Sequence, residues 1–479
     1  MSEQTDQLLD AGIIVSLAGL VYFVLAALAI THVVLNKKNE GAAVSWLGII
    51  ILSPFFGALL YWLFGVNRIR IRAQAQKLNP SVGHGSSLAP SPYSLSDPLN
   101  ERMRVGSKIH QAPYLVGNDV SFLINGDESY PRMLDAINRS TDSVVLSSYI
   151  FDYDDIGRQF VEALANAHDR GVTVRVLIDG FGVDYAVGMA KPDRMLKKRG
   201  VETARFLSTL FTTDTRFINL RNHRKILSVD GAVAFIGGMN IRDENLLDAN
   251  GRRKTRDIHF EVRGPIIDQI SQVFTQDWQF ASNEVLSLPA WAGPLAVEPS
   301  TTCRVIIDGP DDNYQKLELS LLAAINSAIK SILIATPYFL PNDKILAALQ
   351  LAVLRGVVVE VIVPKKSNLR FVGWAMAANE NKLLSIGVML FRSPKPFDHS
   401  KLFIVDGEWV LVGSSNWDAR SLEFNFEINM ECYCEIFAKN ALDCFSKKRE
   451  NAEAVTKESE PFFLANLRNN FFRLFSPYL

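Results

Sequence analysis

Cysteine is scarce in this chain of 479 residues: four, Cys303, Cys432, Cys434 and Cys444, all in the second half. Cys432-Tyr433-Cys434 alternates along an apolar run, which reads as buried strand and not as a zinc pair or a redox C-x-x-C. Disulfide scaffolds are thereby excluded, and reduced thiols in a reducing compartment are expected. Net charge is also missing, with 50 Lys+Arg against 51 Asp+Glu, whereas a general nucleic-acid binder is usually basic. Histidine is rare, seven in all. His259 shares a strand face with Asp257 and Glu261, but one His with two acids and no second His nearby argues against a metal centre.

Charge vanishes altogether over 11–35, a run of 25 residues long enough to cross a bilayer. The leader before it holds Glu3, Asp6 and Asp10 but no Lys or Arg, the wrong flank for a cleaved signal peptide. A second apolar run, 42–66, contains Pro54 and Gly57, both tolerated in membrane helices, with Trp46, Tyr61 and Trp62 near its ends as interfacial anchors. A transmembrane hairpin over 1–66 follows. Lys37 and Lys38 lie in its loop, while Arg68, Arg70, Arg72 and Lys77 come after it. Four against two places both termini in the cytoplasm. Residues 67–113 read as a basic juxtamembrane segment and a flexible linker, rich in Pro, Ser and Gly from about Leu78 to Lys108.

Beyond the linker one pattern occurs twice. His223-Arg224-Lys225 with Asp230, and His399-Ser400-Lys401 with Asp406, both read H-x-K-x4-D. In each, a glycine (Gly237, Gly413) comes seven residues after the Asp and an asparagine (Asn240, Asn416) three later. One H-x-K-x4-D arises by chance in roughly two chains per hundred; two with the same downstream Gly and Asn do not. In a strand, side chains at i and i+2 share a face, so each His and its Lys point the same way. Imidazole attacks or shuttles protons near neutral pH, and Lys and Asn donate to anionic oxygens. Two such sets face to face suit displacement at phosphorus. Asp230 and Asp406, each before Gly in a tight turn, complete the sets in a structural, backbone-capping role. Farther along lie two more strand acids, Asp257 and Glu427, and a buried carboxylate there would hold an imidazole Nδ1–H and set the tautomer.

The halves repeat beyond the motif. Ser143/Ser331, Gly171/Gly356 and His223/His399 are offset by 188, 185 and 176, so helices and β-branched runs recur in one order. That predicts an α/β architecture: two lobes of mixed sheet flanked by helices and related by a pseudo-twofold, over 114–286 and 303–447, joined by a Pro-containing linker, 287–302. The tail, 448–479, carries Phe463, Leu467, Phe471, Leu474 and Phe475 at helical spacing with Arg468 and Arg473 opposite. Such a helix suits either the lipid interface or docking on the protein core.

The paired segments resemble the phospholipase D superfamily, and the whole order is similar to bacterial cardiolipin synthases with two transmembrane helices. Tyr61-Trp62-Leu63-Phe64-Gly65, Thr336-Pro337-Tyr338-Phe339-Leu340-Pro341, Val372-Gly373-Trp374, Arg420-Ser421-Leu422, Asn425-Phe426-Glu427 and Phe475-Ser476-Pro477 carry the narrower likeness. Ser400 departs from the usual Thr, Gly238 from the usual Ser, and Asp257 stands where the second lobe has Glu427. The resemblance implies phosphatidyl transfer between two phosphatidylglycerols, giving cardiolipin and glycerol, in a bacterial inner membrane with the phospholipase D-like lobes in the cytoplasm. It implies His223 as nucleophile through a phosphohistidine, His399 as acid and then base, and Lys225, Lys401, Asn240 and Asn416 on the phosphate oxygens. No metal or other cofactor is implied, because the ammonium groups supply the positive field. Nucleic acid is not an expected partner, and oligomeric state stays open. A hydrolase using water as acceptor, a nuclease sharing the motif and a non-catalytic membrane scaffold are the competing readings.

Overall fold

The computed structural model describes residues 2–37, 40–65, 97–185, 191–207, 220–247, 254–297, 300–456 and 462–476. The chain forms two compact units. The first contains α1 (Ser2–Asn36), α2 (Glu40–Leu52), α3 (Pro54–Leu60) and a π-helical turn, Tyr61–Gly65. Gly19–Asn36, with a mean hydropathy of 2.0, makes α1 long and apolar enough to cross a membrane. The second apolar run is not the single helix expected over 42–66. Pro54 has no N–H for the preceding turn, so the helix stops at Leu52 and restarts with Pro54 in its first turn. Buried Tyr61 closes this unit: its hydroxyl lies 2.7 Å from His32 Nδ1, and its ring meets Trp46 and Trp62 edge-on.

Most of the expected linker, 67–96, lies outside the described residues. Its last part is not linker. Asp97–Ile109 forms α4, because Pro, Ser and Gly give way to a sequence that puts Leu99 and Met103 one turn apart on an apolar face. Both side chains enter the core of the second lobe, and Arg102 ties the helix down by donating to Ser327 Oγ at 2.8 Å and Asp406 Oδ2 at 3.3 Å.

The first lobe opens with β1 (Leu115–Ile124), α5 (Asn125–Arg139), β2 (Ser143–Ser148), α6 (Asp155–Asp169), β3 (Thr173–Asp179), α7 (Gly180–Tyr185), α8 (Pro192–Lys198) and β4 (Glu202–Phe206). It continues through β5 (Arg221–Asn222), β6 (Ile226–Val229), β7 (Val233–Gly237), β8 (Thr255–Arg256), β9 (Ile258–Arg263) and α9 (Ile266–Ser282). The second lobe repeats this plan with β10 (Thr301–Asp308), α10 (Lys316–Ser327), β11 (Ser331–Ala335), α11 (Asp343–Leu354), β12 (Val358–Pro364), α12 (Arg370–Ser385) and β13 (Met389–Ser393). After these come β14 (Phe397–Asp398), β15 (Leu402–Val405), β16 (Trp409–Gly413), α13 (Ala419–Glu423), β17 (Asn425–Tyr433), α14 (Glu435–Glu450) and β18 (Glu453–Ala454). The lobe thus extends past 447, since β18 pairs with β13. The tail follows as α15 (Phe463–Leu474).

Strand order is the same in both lobes: β1-β9-β7-β6-β2-β3-β4 and β10-β17-β16-β15-β11-β12-β13. The last three strands of each run parallel and the others antiparallel. β1 and β10 pair with each other, so one sheet passes through both lobes. Buried Asn118 staples that seam. Its amide donates to Leu115 O and Thr301 O at 2.7 and 3.0 Å, and its Oδ1 accepts from Ile266 N at 2.9 Å. One face of the sheet is covered lobe by lobe, by α5 and α6 and by α10 to α12. The other holds a single core to which both lobes contribute, with Phe260, Ile266 and Ile270 meeting Ile428, Met430, Phe437 and Phe445. The lobes therefore share buried apolar area that neither can cover alone. All four thiols are free; Cys303 and Cys432 are strand neighbours with sulfurs 3.7 Å apart.

Candidate active site

Both histidines sit where a short parallel ladder crosses from one lobe to the other. Arg221-Asn222 of β5 pairs with Asn425-Phe426 at the start of β17, and Phe397-Asp398 of β14 pairs with Thr255-Arg256 of β8. The ladders end in matching bonds: His223 N donates to Phe426 O at 2.9 Å and His399 N to Arg256 O at 2.7 Å. The next residue on each partner strand is the acid. His223 Nδ1 is accordingly 3.0 Å from Glu427 Oε2, and His399 Nδ1 is 2.7 Å from Asp257 Oδ2. Each imidazole is held by the carboxylate of the other lobe.

Glu427 is fully buried and accepts from Ser414 Oγ at 2.5 Å and Asn425 Nδ2 at 3.1 Å as well. Burial alone would raise its pKa, but His223, Lys225 and Ser414 outweigh that and hold it at about 2. Asp257 is also held below its ordinary value, against burial, by Lys401, His399 and Ile258 N–H. The neighbours of the two acids differ in a compensating way. A Cβ on Gly238 would stand 2.5 Å from Asp257 Oδ1, whereas at the equivalent Ser414 the longer glutamate leaves room for a hydroxyl that bonds it.

The lysines point with the histidines. Lys225 Nζ donates to His223 O at 2.6 Å, and Lys401 Nζ donates to His399 O. Lys401 Nζ is also 2.9 Å from His399 Nδ1. Nδ1 cannot donate to Asp257 and accept from Lys401 at once, so the charged carboxylate takes the N–H. Burial pushes Lys225 down to about 7 and Lys401 to about 8, with Glu427 and Asp257 opposing. Burial also lowers His223 to about 4, helped by both lysines and opposed by Glu427; His399 is lowered by burial and both lysines against Asp257. Both ammonium groups lower both imidazoles.

Asn416 and Lys401 line a common small cavity of about 20 Å³, and Asn416 Oδ1 has no partner among the described residues. Asn240 accepts from Ile150 N at 3.1 Å through Oδ1. Asp230 and Asp406 cap backbone N–H groups away from the histidines. Each lies at the far end of the strand, seven residues or roughly 20 Å of extended chain from its histidine. Asp230 accepts from Thr141, Asp142 and Ser143 N–H at 2.8 to 2.9 Å, and Asp406 from Ile329, Lys330 and Ser331 N–H at 2.7 to 3.1 Å. His259 is buried with Nδ1 unpartnered, and no metal-holding group of three His, Cys, Asp or Glu occurs among the described residues.

Several positioning residues escape a sequence reading. Tyr149 and Tyr338 set their rings edge-on to His223 and His399, at 5.0 and 6.4 Å. Asn222 accepts from Arg224 N at 3.0 Å, and Asp277 of α9 holds both, at 2.9 Å from Asn222 Nδ2 and 2.5 Å from Arg224 Nη1. In the other lobe Asp398 accepts from Ser400 N at 3.0 Å, and Lys448 of α14 donates to Asp398 and Ser400 Oγ at 2.6 and 3.0 Å. The two staples match in place and are opposite in charge. A cleft of about 1450 Å³, lined by residues of β1 and α14, takes in Asp257 and Asp398 and neither histidine.

The exchange predicts a specific outcome. Asp257→Asn removes the acceptor of His399 and lowers that histidine's titration further, leaving His223 on Glu427; Glu427→Gln does the reverse. Carbethoxylation rates of the two histidine peptides against pH, read by mass spectrometry, check this. A swapped pattern would mean that each acid serves its own lobe.

Known proteins resemble this chain in sequence and in fold. Residues 133–278 and 321–449 match the family described as cardiolipin synthase, PLD-like domain, and 24–65 match the phospholipase D-nuclease N-terminal family. Cardiolipin synthase A of Pseudomonas fluorescens (strain SBW25) is 31% identical, covering 96% of this chain and 98% of that protein. Cardiolipin synthase of Geobacillus thermodenitrificans (strain NG80-2) is 31% identical over 93% of this chain and 90% of that protein. Among solved structures, phosphatidylserine synthase of Haemophilus influenzae Rd KW20 superposes with a TM-score of 0.59 at 13% identity, covering 79% of this chain and all of that one, a likeness of fold. With two family matches and relatives aligned along nearly its whole length, the chain belongs to the cardiolipin synthase family of phospholipase D-like proteins.

Proposed function

We propose that this chain transfers a phosphatidyl group from one phosphatidylglycerol to a hydroxyl of another, giving cardiolipin and glycerol. The observation that carries this reading is the exchanged pair of imidazole–carboxylate bonds, which leaves the two Nε2 atoms as the reacting nitrogens of a single site. His223 Nε2 attacks phosphorus and forms the P–N bond as the bond to the glycerol oxygen breaks. His399, protonated on Nε2, gives its proton to that oxygen. The neutral His399 then takes the proton of the incoming lipid hydroxyl, whose oxygen attacks phosphorus, breaks the P–N bond and frees His223. Lys225, Lys401 and the amides of Asn240 and Asn416 stabilise the non-bridging oxygens as charge shifts. The Nδ1–H bonds to Glu427 and Asp257 keep both rings in the reactive tautomer.

Labelled phosphatidylglycerol supplied to the purified protein gives diphosphatidylglycerol plus glycerol; phosphatidic acid as the product would establish hydrolysis instead. His223→Ala and His399→Ala each lower turnover by at least about 10³-fold. On quench in detergent at neutral pH, His399→Ala retains labelled phosphatidyl on the protein and His223→Ala does not. The opposite result would exchange the two roles.

We also place the protein in a bacterial inner membrane, with the membrane unit crossing twice and the lobes in the cytoplasm. The support is the apolar α1 together with Arg68, Arg70, Arg72 and Lys77 outnumbering Lys37 and Lys38. Protease then cleaves the lobes in inverted vesicles and spares them in right-side-out ones; cleavage in the latter would reverse the topology.

The lysines set a pH limit. In the free enzyme Lys225 titrates at about 7 and Lys401 at about 8, so the ammonium field is present below these values and is lost as pH rises through them. kcat/KM, which reports the free enzyme, falls on the alkaline side between pH 7 and 8. A flat profile up to pH 10 would remove the lysines from this role.

A further inference from the structure

The last helix is fixed on one side and bare on the other. On its inner side Phe472 meets Phe371 and Trp374 of α12 at ring separations of 4.8 and 5.0 Å, the Arg468 guanidinium lies 4.5 Å over the Trp374 ring, and Asn469 is buried. Its outer side carries Phe463, Leu464, Leu467, Phe471, Leu474 and Phe475, each between 45% and 73% exposed. The positions 463/464, 467, 471 and 474/475 form a single stripe at helical period. Of the two expectations for the tail, docking on the body is seen on the inner face of α15, and the outer face shows an apolar row.

Large contiguous apolar patches on a folded surface mark a contact, and the charges say with what. α15 contains Arg468 and Arg473 and no acid. A helix with one apolar face and a cationic remainder settles at the boundary between headgroups and acyl chains of an anionic bilayer. A purely apolar protein groove would cover the stripe but would leave exposed Arg473 without an anion; a surface of anionic phospholipid satisfies both. We propose that α15 lies in the surface of an anionic phospholipid bilayer, with the stripe among the acyl chains and Arg473 at the phosphates. Through Phe472, Asn469 and Arg468 it would fix the height of the catalytic body over its lipid, as a membrane contact additional to the N-terminal unit.

The test uses the full chain in vesicles of phosphatidylglycerol and phosphatidylcholine, with Cys434 and Cys444 replaced by Ser. An environment-sensitive fluorophore is placed on Leu467→Cys or Phe471→Cys and, as a control, on Glu162→Cys of α6. Phosphatidylcholine brominated along its acyl chains is expected to quench the α15 labels and not the α6 label. The same quenching is expected in the His399→Ala background, so the result is independent of the catalytic reading. Replacing phosphatidylglycerol by phosphatidylcholine throughout weakens it. Labels on α15 that stay unquenched would overturn the proposal, whether the probe reads water or is shielded in a concentration-dependent way by a second copy of the chain. In the same vesicles Leu467→Asp with Phe471→Asp lowers turnover by roughly tenfold with an unchanged unfolding midpoint; full turnover would show that the contact does not set catalytic height.

Discussion

Two imidazole–carboxylate bonds, each drawn between lobes, constrain everything else in the catalytic body. Glu427 and Asp257 are buried and ionised, and a buried charge that loses its partner costs about 3–5 kcal/mol. The acids must therefore meet histidines wherever the lobes come together. The short parallel ladders bring this about, because a one-residue slip would turn each acid to the wrong face. The β1–β10 junction, the Asn118 staple and the common core then hold the lobes at the one separation that satisfies both pairs. A single lobe would leave an imidazole without its acceptor and half of that core exposed to water. The arrangement is two-lobed for a chemical reason as much as for a packing one.

Much of this was legible in the residues. The doubled H-x-K-x4-D with its Gly and Asn, and the recurring helices and β-branched runs, carry the two-lobe α/β plan, because strand and helix periods survive the small insertions that shift the offset from 188 to 176. The exchange of acids was not legible. Asp257 and Glu427 show themselves as strand acids, but a strand says which face a side chain takes and not which lobe it meets. The staples were hidden for another reason: Asp277 and Lys448 occupy equivalent places with opposite charge, so a search for repeated residues passes over them. Asp230 and Asp406 keep a regular spacing from the histidine because each serves the turn at the other end of the strand, as the glycine after it indicates. Helix α4 is hidden in the sequence because Pro, Ser and Gly just before it dominate the composition of the whole segment. Around Pro54 the composition is apolar throughout, and only the missing N–H of that one residue marks where the helix breaks.

The two halves of the site are alike in plan and unequal in chemistry, and the inequality has a direction. Glu427 takes three side-chain donors, His223, Ser414 and Asn425, so its charge is settled within the protein and needs no proton on the far side of the ring. That supports a neutral His223, whose pKa of about 4 keeps Nε2 unprotonated at neutral pH: the state a nucleophile requires. Asp257 has fewer donors, with Gly238 contributing no side chain and Lys401 crowding the same nitrogen that Asp257 holds. Its charge is available to stabilise an imidazolium when a phosphodiester brings negative charge beside His399. Placing Ser at 238 without moving the carboxylate would set a Cβ 2.5 Å from Asp257 Oδ1, a contact that the present pair avoids. Acid length and neighbour size thus vary together, and the departure at Gly238 belongs to the same adjustment that makes the surroundings of the two imidazoles unequal.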